Sequence, residues 1–376
     1  MSGTSIDGVD AALVRILPRE AGYDVKLLRF ETQPFDSKLR EALLGALPPN
    51  SGSVAAVAQI HHALGLTYAK AARAVAANER VDYVASHGQT VWHDGAARTT
   101  FQLGDPFVIR EAIGATVCYD FRSADCAAGG QGAPLVAYVD ALLLSSAEED
   151  RVALNLGGIA NLSILRKGAP PEQTIAFDTG PSNMLIDAFV RARSGDRSAF
   201  DQNGKLAAAG AVNAELLAAM LADEYFAILP PKTTGREHFG AQFLARYDRE
   251  LSRLSLEDGA ATLTELTAAS VANAIARAGL TSARIIVSGG GAHNATLLAR
   301  LAARLQPARV ETSDAMGMPV DAKEAIAFAV LGYETLRGRP GNVPAATGAR
   351  HGAVLGAIAP YRLSEVRARI EDECRT

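Results

Sequence analysis

Apolar runs alternate with small-residue turns and amphipathic stretches along the whole chain. The turn GTSIDGVD precedes the apolar run AALVRIL and a second apolar stretch at residues 25–30, a pattern that predicts a β-hairpin. Apolar side chains recur every three or four positions over residues 54–78, which predicts a helix that leads to a strand at residues 82–85. An Asp-Pro pair opens a predicted helix over residues 105–113, and a short buried strand is predicted at residues 115–119.

The same pattern restarts at Arg151. The sequence RVALNLGGIANLSIL predicts two strands around a small-residue turn, and TIAFDTG adds a third strand before a helix that opens at Pro181. Other elements predicted in this part are helices at residues 206–222, 239–253, 262–279, 293–305 and 321–335 and a strand at residues 284–287. Because this segment resembles the opening hairpin as a weak internal repeat, we predict two related α/β halves with a boundary near residue 145.

Composition narrows the class of protein. The 376 residues exceed what one core usually holds, and 48% hydrophobic with 21% charged residues is typical of a globular chain. A formal charge of −4 without blocks of like charge disfavours a nucleic-acid surface, so we expect a small-molecule ligand. The cysteines Cys118, Cys126 and Cys374 lack CxxC spacing, which argues against a disulfide framework or a cysteine zinc site. Without a signal-peptide pattern or an apolar run of about 18 residues, we expect a soluble cytoplasmic protein.

Three glycine-containing segments have residue types that suit a phosphate. Residues 3–10 and 156–161 are turns in which glycines let the backbone approach a phosphate while amides and hydroxyls donate hydrogen bonds. Residues 288–294 follow a strand and precede a helix, where close backbone approach also suits a base or ribose. Each segment alone is explained equally well as a hairpin turn or as a loop before a helix. The sequence contains no Walker A, GxGxxG or GxSxG motif.

Polar groups gather at the ends of two further predicted strands. The segment HGQTVWH at residues 87–93 surrounds the only tryptophan with hydrogen-bonding groups, which suits a sugar; the alternative is a surface loop with one packed tryptophan. The spacing of His87 and His93 does not support a zinc pair. Arg122 can bind a carboxylate through two hydrogen bonds or form a surface ion pair.

Two carboxylates stand out by their position. Asp178 ends a predicted strand just before a helix, where a carboxylate can orient a nucleophile and take its proton, or can cap the helix. Glu324 lies in an apolar helix, where a solvated glutamate is the default alternative to a role in a site.

Taken together, these segments resemble the anhydro-N-acetylmuramic acid kinase family of the actin, hexokinase and Hsp70 ATPase superfamily. The matching segments, in order over residues 1–358, are MSGTSIDGVD, SHGQTVWH, FQLGD, DFRSADCAAGGQGAPLV, LNLGGIANLS, FDTGPSNMLID, PPKTTGRE, SGGGAHN, KEAIAFA and TGA. The resemblance implies an α/β fold of two actin-like ATPase (ribonuclease H-like) domains, with mixed sheets flanked by helices and an interdomain ATP cleft. We expect these domains at residues 1–145 and 146–376, with the C-terminal helix packed back onto the first.

The resemblance also implies roles for individual residues. Asp178 would activate a water molecule for attack on the anomeric carbon, and Glu324 would assist in the sugar site. Expected ATP-binding residues are Gly3, Thr4, Ser5, Ile6, Asp7, Gly8, Val9 and Asp10 in the first phosphate loop, Gly157, Gly158 and Asn161 in the second, and Gly289, Gly290, Gly291 and Asn294 near adenosine. Expected sugar contacts are His87, Gln89, Gln102 and Arg122. Asp7 would hold Mg2+ through water.

The implied reaction hydrolyses the 1,6-anhydro bridge of 1,6-anhydro-N-acetylmuramic acid and phosphorylates O6. The implied cofactors are ATP and Mg2+, and the implied products are N-acetylmuramic acid 6-phosphate and ADP. The resemblance places the reaction in peptidoglycan recycling and amino-sugar catabolism. It also implies a homodimer. Because the γ-phosphorus can capture the leaving oxygen, one carboxylate base can suffice where glycoside hydrolysis otherwise needs an acid as well. Two alternatives stay open: a plain sugar or carboxylate kinase in which Asp178 deprotonates a hydroxyl, and a noncatalytic nucleotide-binding or scaffold protein.

Two positions depart from the family pattern. An apolar strand precedes the first motif in the family, whereas this chain begins at Met1 within the motif, so we expect the true start to lie upstream. Ser182 stands where the family more often has glycine, and its side chain would crowd the turn near Asp178 if its φ were positive. We expect the serine to be tolerated.

Overall fold

A computed structural model describes residues 1–3, 6–19, 22–47 and 52–374. The chain divides into two compact units, one formed by Met1–Leu143 with Ala322–Thr376 and the other by Leu144–Asp321. This division differs from the domain limits expected from the sequence, because residues 322–376 group with the first unit. The cause is the helix at Lys323–Arg337, whose apolar face packs on strands of the first unit.

In its described residues, the first unit contains three small sheets and the helices around them. Its elements before the second unit are β1 (Gly8–Pro18), β2 (Tyr23–Pro34), α1 (Ser37–Ala46), α2 (Val54–Ala76), β3 (Tyr83–Ser86), β4 (Gln89–Asp94), β5 (Thr99–Leu103), α3 (Pro106–Ile113), β6 (Thr116–Tyr119), α4 (Ser123–Ala127) and α5 (Val136–Leu144). The predicted hairpin is confirmed as the antiparallel pair β1–β2. β4 and β5 form a second antiparallel pair, and β3 is parallel to β6.

The helix α3 begins as its sequence predicts. Asp105 caps it, because the Oδ1 atom accepts hydrogen bonds from the backbone N–H groups of Phe107, at 2.9 Å, and Val108, at 3.4 Å. Pro106 occupies the first turn, where its missing N–H costs nothing. Gly114 ends the helix in the left-handed conformation that glycine adopts most easily.

The second unit is built on one five-stranded sheet. Its elements are β7 (Arg151–Leu156), β8 (Ile159–Leu165), β9 (Ile175–Pro181), α6 (Asn183–Ser194), α7 (Lys205–Ala209), α8 (Ala214–Leu221), α9 (Arg236–Phe239), α10 (Ala241–Arg246), α11 (Asp248–Leu251), α12 (Leu256–Arg277), β10 (Arg284–Ser288), α13 (Ala295–Leu305) and β11 (Arg309–Thr312). The strand order is β11-β10-β7-β8-β9, and β8 alone runs antiparallel to its neighbours. This order, with its single reversed strand, is the ribonuclease H-like topology, and the predicted α/β class with mixed sheets and flanking helices is confirmed.

The chain then returns to the first unit. The returning elements are α14 (Lys323–Arg337), α15 (Pro344–Thr347), β12 (Ala357–Ala359) and α16 (Leu363–Glu373). β12 pairs antiparallel with β6, which gives the sheet order β12-β6-β3. Val366 and Ile370 of α16 are buried in the same apolar cluster as Phe328 and Leu331 of α14. The C-terminal segment is thus part of the core of the first unit.

Two long helices predicted in the second unit are broken. The predicted helix 206–222 is split into α7 and α8 at Gly210, where a Cβ would lie 2.1 Å from the Glu257 carbonyl oxygen. Asn213 then caps α8 by accepting the Leu216 N–H at 2.9 Å. The predicted helix 239–253 is likewise split into α10 and α11 at Tyr247.

Over the described ranges, no single helix is both long and apolar enough to cross a membrane. One bent pair, Gln202–Ala209 with Ala214–Leu221, passes that test only when the two are taken together.

Candidate active site

The first glycine segment leads into β1. Gly8 is fixed as glycine by the neighbouring strand, because a Cβ there would lie 2.4 Å from the Gln33 carbonyl oxygen. Ile6 has a φ of 53°, a strained conformation for a β-branched residue, and its buried side chain and a 3.0 Å bond from Arg40 Nε to its carbonyl hold it. Asp7 is exposed, whereas Val9 is buried. Thr4 and Ser5, also predicted to bind ATP, lie outside the described residues.

Gly3 and Asp10, at the two ends of this segment, form hydrogen bonds to neighbouring residues. The Gly3 carbonyl accepts a bond of 3.2 Å from Gln89 Nε2. The Asp10 N–H donates to the Met1 carbonyl at 2.8 Å, and Asp10 Oδ1 accepts the Thr32 hydroxyl at 2.6 Å. The segment is therefore tied both to β2 and to the β4 strand that carries a predicted sugar contact.

Among the described residues, Gln89 and Gln102 each have a buried side-chain oxygen without a hydrogen-bond partner. Gln89 donates from its amide to the carbonyls of Gly3 and Thr90, and Gln102 donates to the hydroxyls of Thr90, at 3.3 Å, and Thr100, at 2.8 Å. A buried acceptor without a donor is costly, and a sugar hydroxyl is a donor of the right kind. Both predicted sugar contacts thus keep an acceptor available for a ligand.

His87 and Arg122 contact each other directly. Arg122 Nε and Nη2 lie 3.1 and 2.9 Å from His87 Nε2, and Arg122 Nη1 donates to the Gly132 carbonyl at 2.7 Å. Burial, reinforced by the Arg122 charge, holds the pKa of His87 well below its ordinary value. The ring is therefore neutral at physiological pH. Both ring nitrogens of His87 are engaged in this structure, so a direct sugar contact for His87 stays a prediction.

Glu324 lies in the first turn of α14. Its side chain is accessible to solvent, yet the protein around it removes enough water to raise its pKa, against the lowering effects of Arg122 and the N-terminal amine. A helix N-terminus favours a negative charge at this position. The neighbouring Lys323 points elsewhere and forms a buried ion pair with Asp140, with Nζ and Oδ1 2.7 Å apart.

In the second unit, Asp178 lies near the end of β9 and is partly buried. Its Oδ2 accepts the Thr234 N–H at 2.9 Å, and Tyr225 donates its hydroxyl to the Asp178 carbonyl at 2.8 Å. Desolvation raises the pKa of Asp178 to about 6; the Thr234 bond opposes this shift, and the Glu237 charge adds to it. A carboxylate with a pKa near neutrality is well suited to take a proton. Asn161 lies directly opposite Asp178 in the β8–β9 ladder.

The other two glycine segments meet in the second unit. A Cβ on Gly291 would lie 2.6 Å from Leu156 Cβ and 3.2 Å from Asn183 Oδ1, so the loop after β10 packs on the turn after β7 and on the start of α6. The carbonyls of Gly157 and Gly158 accept the N–H groups of Asn183 and Ser182 at 3.1 and 2.9 Å. Gly158 and Gly290 remain exposed, and Gly289 is partly exposed.

Asn294 and Ser182 were singled out in the sequence and lie at the starts of α13 and α6. Asn294 caps α13, because its Oδ1 accepts the Leu297 N–H at 2.9 Å; its predicted contact near adenosine stays a prediction. Ser182 has a φ of −130°, which lies outside the left-handed region. Its side chain therefore does not impose the backbone strain that a positive φ would cause at this position. Its buried hydroxyl has no hydrogen-bond partner in the described part of the chain.

The segment that surrounds Asp178 was not predicted from single residues. Lys232 offers its carbonyl to the Asp178 N–H at 3.1 Å, Thr234 binds the carboxylate, and Glu237 acts on it through its charge. The signal was present in the matched sequence PPKTTGRE, but the spacing of about 56 residues from Asp178 gives no indication of the contact.

The charged residues of the described segments do not form a metal cage. No group of three or more His, Cys, Asp or Glu side chains within them is arranged to hold an ion. Mg2+ usually keeps several waters and binds through one or two carboxylates together with substrate phosphates. The exposed Asp7 carboxylate fits that mode of binding.

The relatives that share 40–45% sequence identity with this chain are named as kinases of an anhydro sugar. The family model for anhydro-N-acetylmuramic acid kinase matches residues 1–361. Proteins named anhydro-N-acetylmuramic acid kinase are 40% identical in Caldanaerobacter subterraneus subsp. tengcongensis, over 95% of this chain and 95% of that protein, and 45% identical in Streptomyces avermitilis, over 96% and 94%. The protein is therefore a phosphotransferase of the carbohydrate kinase class. The chain belongs to the anhydro-N-acetylmuramic acid kinase family.

Solved structures show only remote similarity. A ROK family glucokinase from Streptomyces griseus in complex with glucose and AMPPNP is 13% identical over 85% of this chain and 99% of that one, with a TM-score of 0.36. The ethanolamine utilization protein EutJ from Carboxydothermus hydrogenoformans is 12% identical over 86% and 89%, with a TM-score of 0.34. Scores this low carry no conclusion about the site.

Proposed function

We propose that this protein is the ATP-dependent kinase that opens the 1,6-anhydro ring of 1,6-anhydro-N-acetylmuramic acid and phosphorylates O6. The products are N-acetylmuramic acid 6-phosphate and ADP, which serve peptidoglycan recycling. The family match over residues 1–361 supports the substrate and the reaction. The observation that carries the chemistry is the partly buried carboxylate of Asp178, whose pKa is raised to about 6.

Asp178 is the general base of the proposed reaction. It takes a proton from water as the water oxygen forms a bond to the anomeric carbon and the bond from that carbon to O6 breaks. The electron pair released on O6 attacks the γ-phosphorus, and ADP leaves with the electrons of the broken P–O bond. The Thr234 N–H holds Oδ2 of Asp178, which leaves Oδ1 to face the water.

The remaining site residues bind the two substrates. We assign ATP to the glycine segments at residues 3–10, 157–161 and 289–294, since close backbone approach and exposed amides suit phosphates and ribose. Gln89, Gln102 and Arg122 bind the sugar, and the free amide oxygens of the two glutamines support that role. Glu324 assists as an acidic group in the sugar site.

Mg2+, a homodimer and a cytoplasmic location complete the proposal. Bound Mg2+ neutralises phosphate charge during phosphoryl transfer, and the exposed Asp7 carboxylate would hold it through water. The family resemblance supports the homodimer, and the lack of disulfide-type cysteine spacing in the sequence supports the cytoplasmic location.

The mass of the product tests the proposal. We expect incubation with ATP, Mg2+ and the anhydro sugar to give a product that has gained one phosphoryl group and the elements of one water. A product with the phosphoryl group but an intact anhydro ring would identify a plain sugar kinase. No consumption of ATP, with protein whose melting transition is cooperative, would contradict the proposal. A sample with excess EDTA is the control for the metal requirement.

A further inference from the structure

A cavity of about 610 Å³ lies within the first unit, and all the residues that line it belong to that unit. Its walls are the last turns of α2 and α3, the segment before β3, the segment between β12 and α16, and the first turns of α16. Small-molecule sites in proteins have volumes of about 300–1,000 Å³. The cavity is therefore large enough for a small-molecule ligand.

The cavity and the predicted sugar contacts lie at opposite ends of two parallel strands. β3 and β6 pair in parallel, and each has four residues. Val81 and Ala115, which line the cavity, come before these strands, whereas His87 and Arg122 come after them. Four residues of a strand span about 13 Å. A ligand in the cavity would thus be separated from the sugar contacts by the length of this sheet.

Two of the acidic side chains that line the cavity are already paired with arginines. Asp82 forms an ion pair with Arg369, which also lines the cavity. Glu79 forms an ion pair with Arg29, outside the lining, with Oε1 and Nη2 3.3 Å apart. These carboxylates therefore do not neutralise the other arginines of the cavity.

The charged residues that remain in the lining are three arginines and one glutamate. They are Arg73, Arg80, Arg362 and Glu365, and all four are exposed. Arg80 and Arg362 form no side-chain hydrogen bond or ion pair with the described residues. The cavity thus has an excess of positive charge that favours an anionic ligand.

Two of the polar groups in the lining are held in place by their neighbours. The Arg73 guanidinium donates to the Ala112 carbonyl from Nε, at 2.9 Å, and from Nη2. Because a guanidinium has five N–H donors, three remain for a ligand. The Tyr361 N–H donates to the Thr116 hydroxyl at 3.0 Å, and that hydroxyl donates to the Tyr361 carbonyl at 2.7 Å. The backbone that carries the Tyr361 ring is therefore tied to the first residue of β6.

The lining also contains two residues with strained backbones. Ala77 has a φ of 49° and Arg362 a φ of 48°, a region that residues other than glycine seldom adopt. Residues strained in this way are concentrated at ligand-binding and active sites. The strained turn at Arg362 leaves its Cζ 5.7 Å from the centre of the Tyr361 ring, so the guanidinium and the phenol lie together in the cavity wall.

We propose that this cavity binds a small molecule that carries a phosphate monoester. Such a group has up to two negative charges and three acceptor oxygens, which match the guanidinium groups of Arg73, Arg80 and Arg362. A single carboxylate, with one charge and two oxygens, would leave more of this positive charge unpaired. The binding site is additional to the proposed function and does not depend on it.

Protection of arginines from phenylglyoxal, located by peptide mass spectrometry of the full chain, tests the inference. The phosphorylated probes are glucose 6-phosphate and AMP, which represent a sugar and a nucleoside source of the ester; glucose, adenosine and inorganic phosphate are the comparison probes. We expect at least one phosphorylated probe, at about 10 mM, to slow the labelling of Arg80 and Arg362 about tenfold, as a Kd of about 1 mM requires. Glucose and adenosine should have no effect. Labelling of Arg249, which is exposed in the second unit, should not change.

Substitution of the strained arginine supplies a variant that should fold. Arg362→Gly removes the guanidinium and places at a φ of 48° the residue that adopts it most easily. Loss of a charge-assisted hydrogen bond weakens binding at least about tenfold, so protection of Arg80 should fall to about twofold. Arg98→Gly is the matched control, because Arg98 is exposed, has a φ of 56° and lies between β4 and β5, outside the cavity. This control should keep the full protection of Arg80.

The pattern of protection decides between the possible results. Protection by glucose 6-phosphate alone would identify a sugar phosphate as the ligand class, and protection by AMP alone a nucleotide. Labelling of Arg80 and Arg362 that neither phosphorylated probe slows would overturn the inference. Equal protection by inorganic phosphate, equal slowing at Arg249, or undiminished protection of Arg80 in Arg362→Gly with an unchanged melting temperature would contradict it as well.

Discussion

The pKa of Asp178 links one side chain to a measurable pH profile. Only the deprotonated carboxylate can take a proton from water, and burial raises the pKa of this group to about 6. We therefore expect kcat/KM to rise about tenfold per pH unit below pH 6 and to level off above it. Initial rates measured between pH 4.5 and 8 define this rising limb of the pH profile.

A second aspartate provides the control for this profile. Burial also raises the pKa of Asp187, in α6, to about 6, and this residue is not among those predicted for the site. Asp187→Asn should keep the rising limb, whereas Asp178→Asn should lose both the limb and most of the activity. If kcat/KM instead levels off near pH 4, the ordinary pKa range of an aspartate, the base is not desolvated in the way the structure shows.

At the residue scale, the sequence predicts which residues take part in the chemistry better than it predicts which residues contact each other. The family resemblance predicted Asp178 as the base, and its position at a strand end before a helix was compatible either with that role or with a helix cap. Its partner Thr234 and the pairing of Arg122 with His87 were not predicted, since these contacts join residues 56 and 35 positions apart. No periodicity or local motif encodes such distances, because the fold alone decides which loops meet.

At the scale of elements, the glycine loop after β10 must pack closely on the turn after β7. Gly291→Ala would place a methyl group 2.6 Å from Leu156 Cβ, so the loop or β7 must shift. We expect a loss of about 1–3 kcal/mol in the free energy of unfolding, typical of overpacking, and a higher KM for ATP. Urea denaturation and steady-state kinetics measure the two effects.

The adjacent glycine is the matched control for stability. A Cβ on Gly290 would meet its nearest neighbour, Asn183 Nδ2, at 3.7 Å, which is ordinary contact. Gly290→Ala should change the free energy of unfolding by less than about 0.5 kcal/mol. Equal stability of the two variants would mean that the two loops are not packed as described.

Elements with strong local signals were predicted well. Asp105 with Pro106 defines the start of α3, and the three-four spacing after Val54 defines α2, because both signals are read within one or two helical turns. The break between α7 and α8 was missed, since the cause is the contact of Gly210 with the Glu257 backbone, 47 residues away. Amphipathic spacing continues across that break and gives no warning of it.

At the scale of the whole molecule, one unit is continuous in sequence and the other is not. The second unit holds its five-stranded sheet and its apolar clusters within Leu144–Asp321. The first unit needs α14 and α16 from the C-terminal segment to complete its core. The family resemblance predicted that the C-terminal helix packs on the first unit, but not that α14 does, because the apolar face of α14 is equally compatible with either sheet.

Truncated chains test this organisation. We expect a chain of residues 144–321 to unfold cooperatively in urea, because its core is internal. A chain of residues 1–143 should lack a cooperative transition, because it loses the packing of Phe328 and Leu331. Circular dichroism during urea titration distinguishes the two cases. A cooperative transition in the shorter first segment alone would contradict the division into these units.

The most direct test of the central claim, that Asp178 activates water during phosphoryl transfer, is turnover in water enriched in heavy oxygen. Mass spectrometry with fragmentation locates the label in the product. We expect one heavy oxygen, on the anomeric carbon of the phosphorylated sugar, with none in the phosphoryl group. We expect this product to be lost in Asp178→Asn but not in Asp187→Asn. Label in the phosphoryl group, or undiminished labelled product from Asp178→Asn, would contradict the claim.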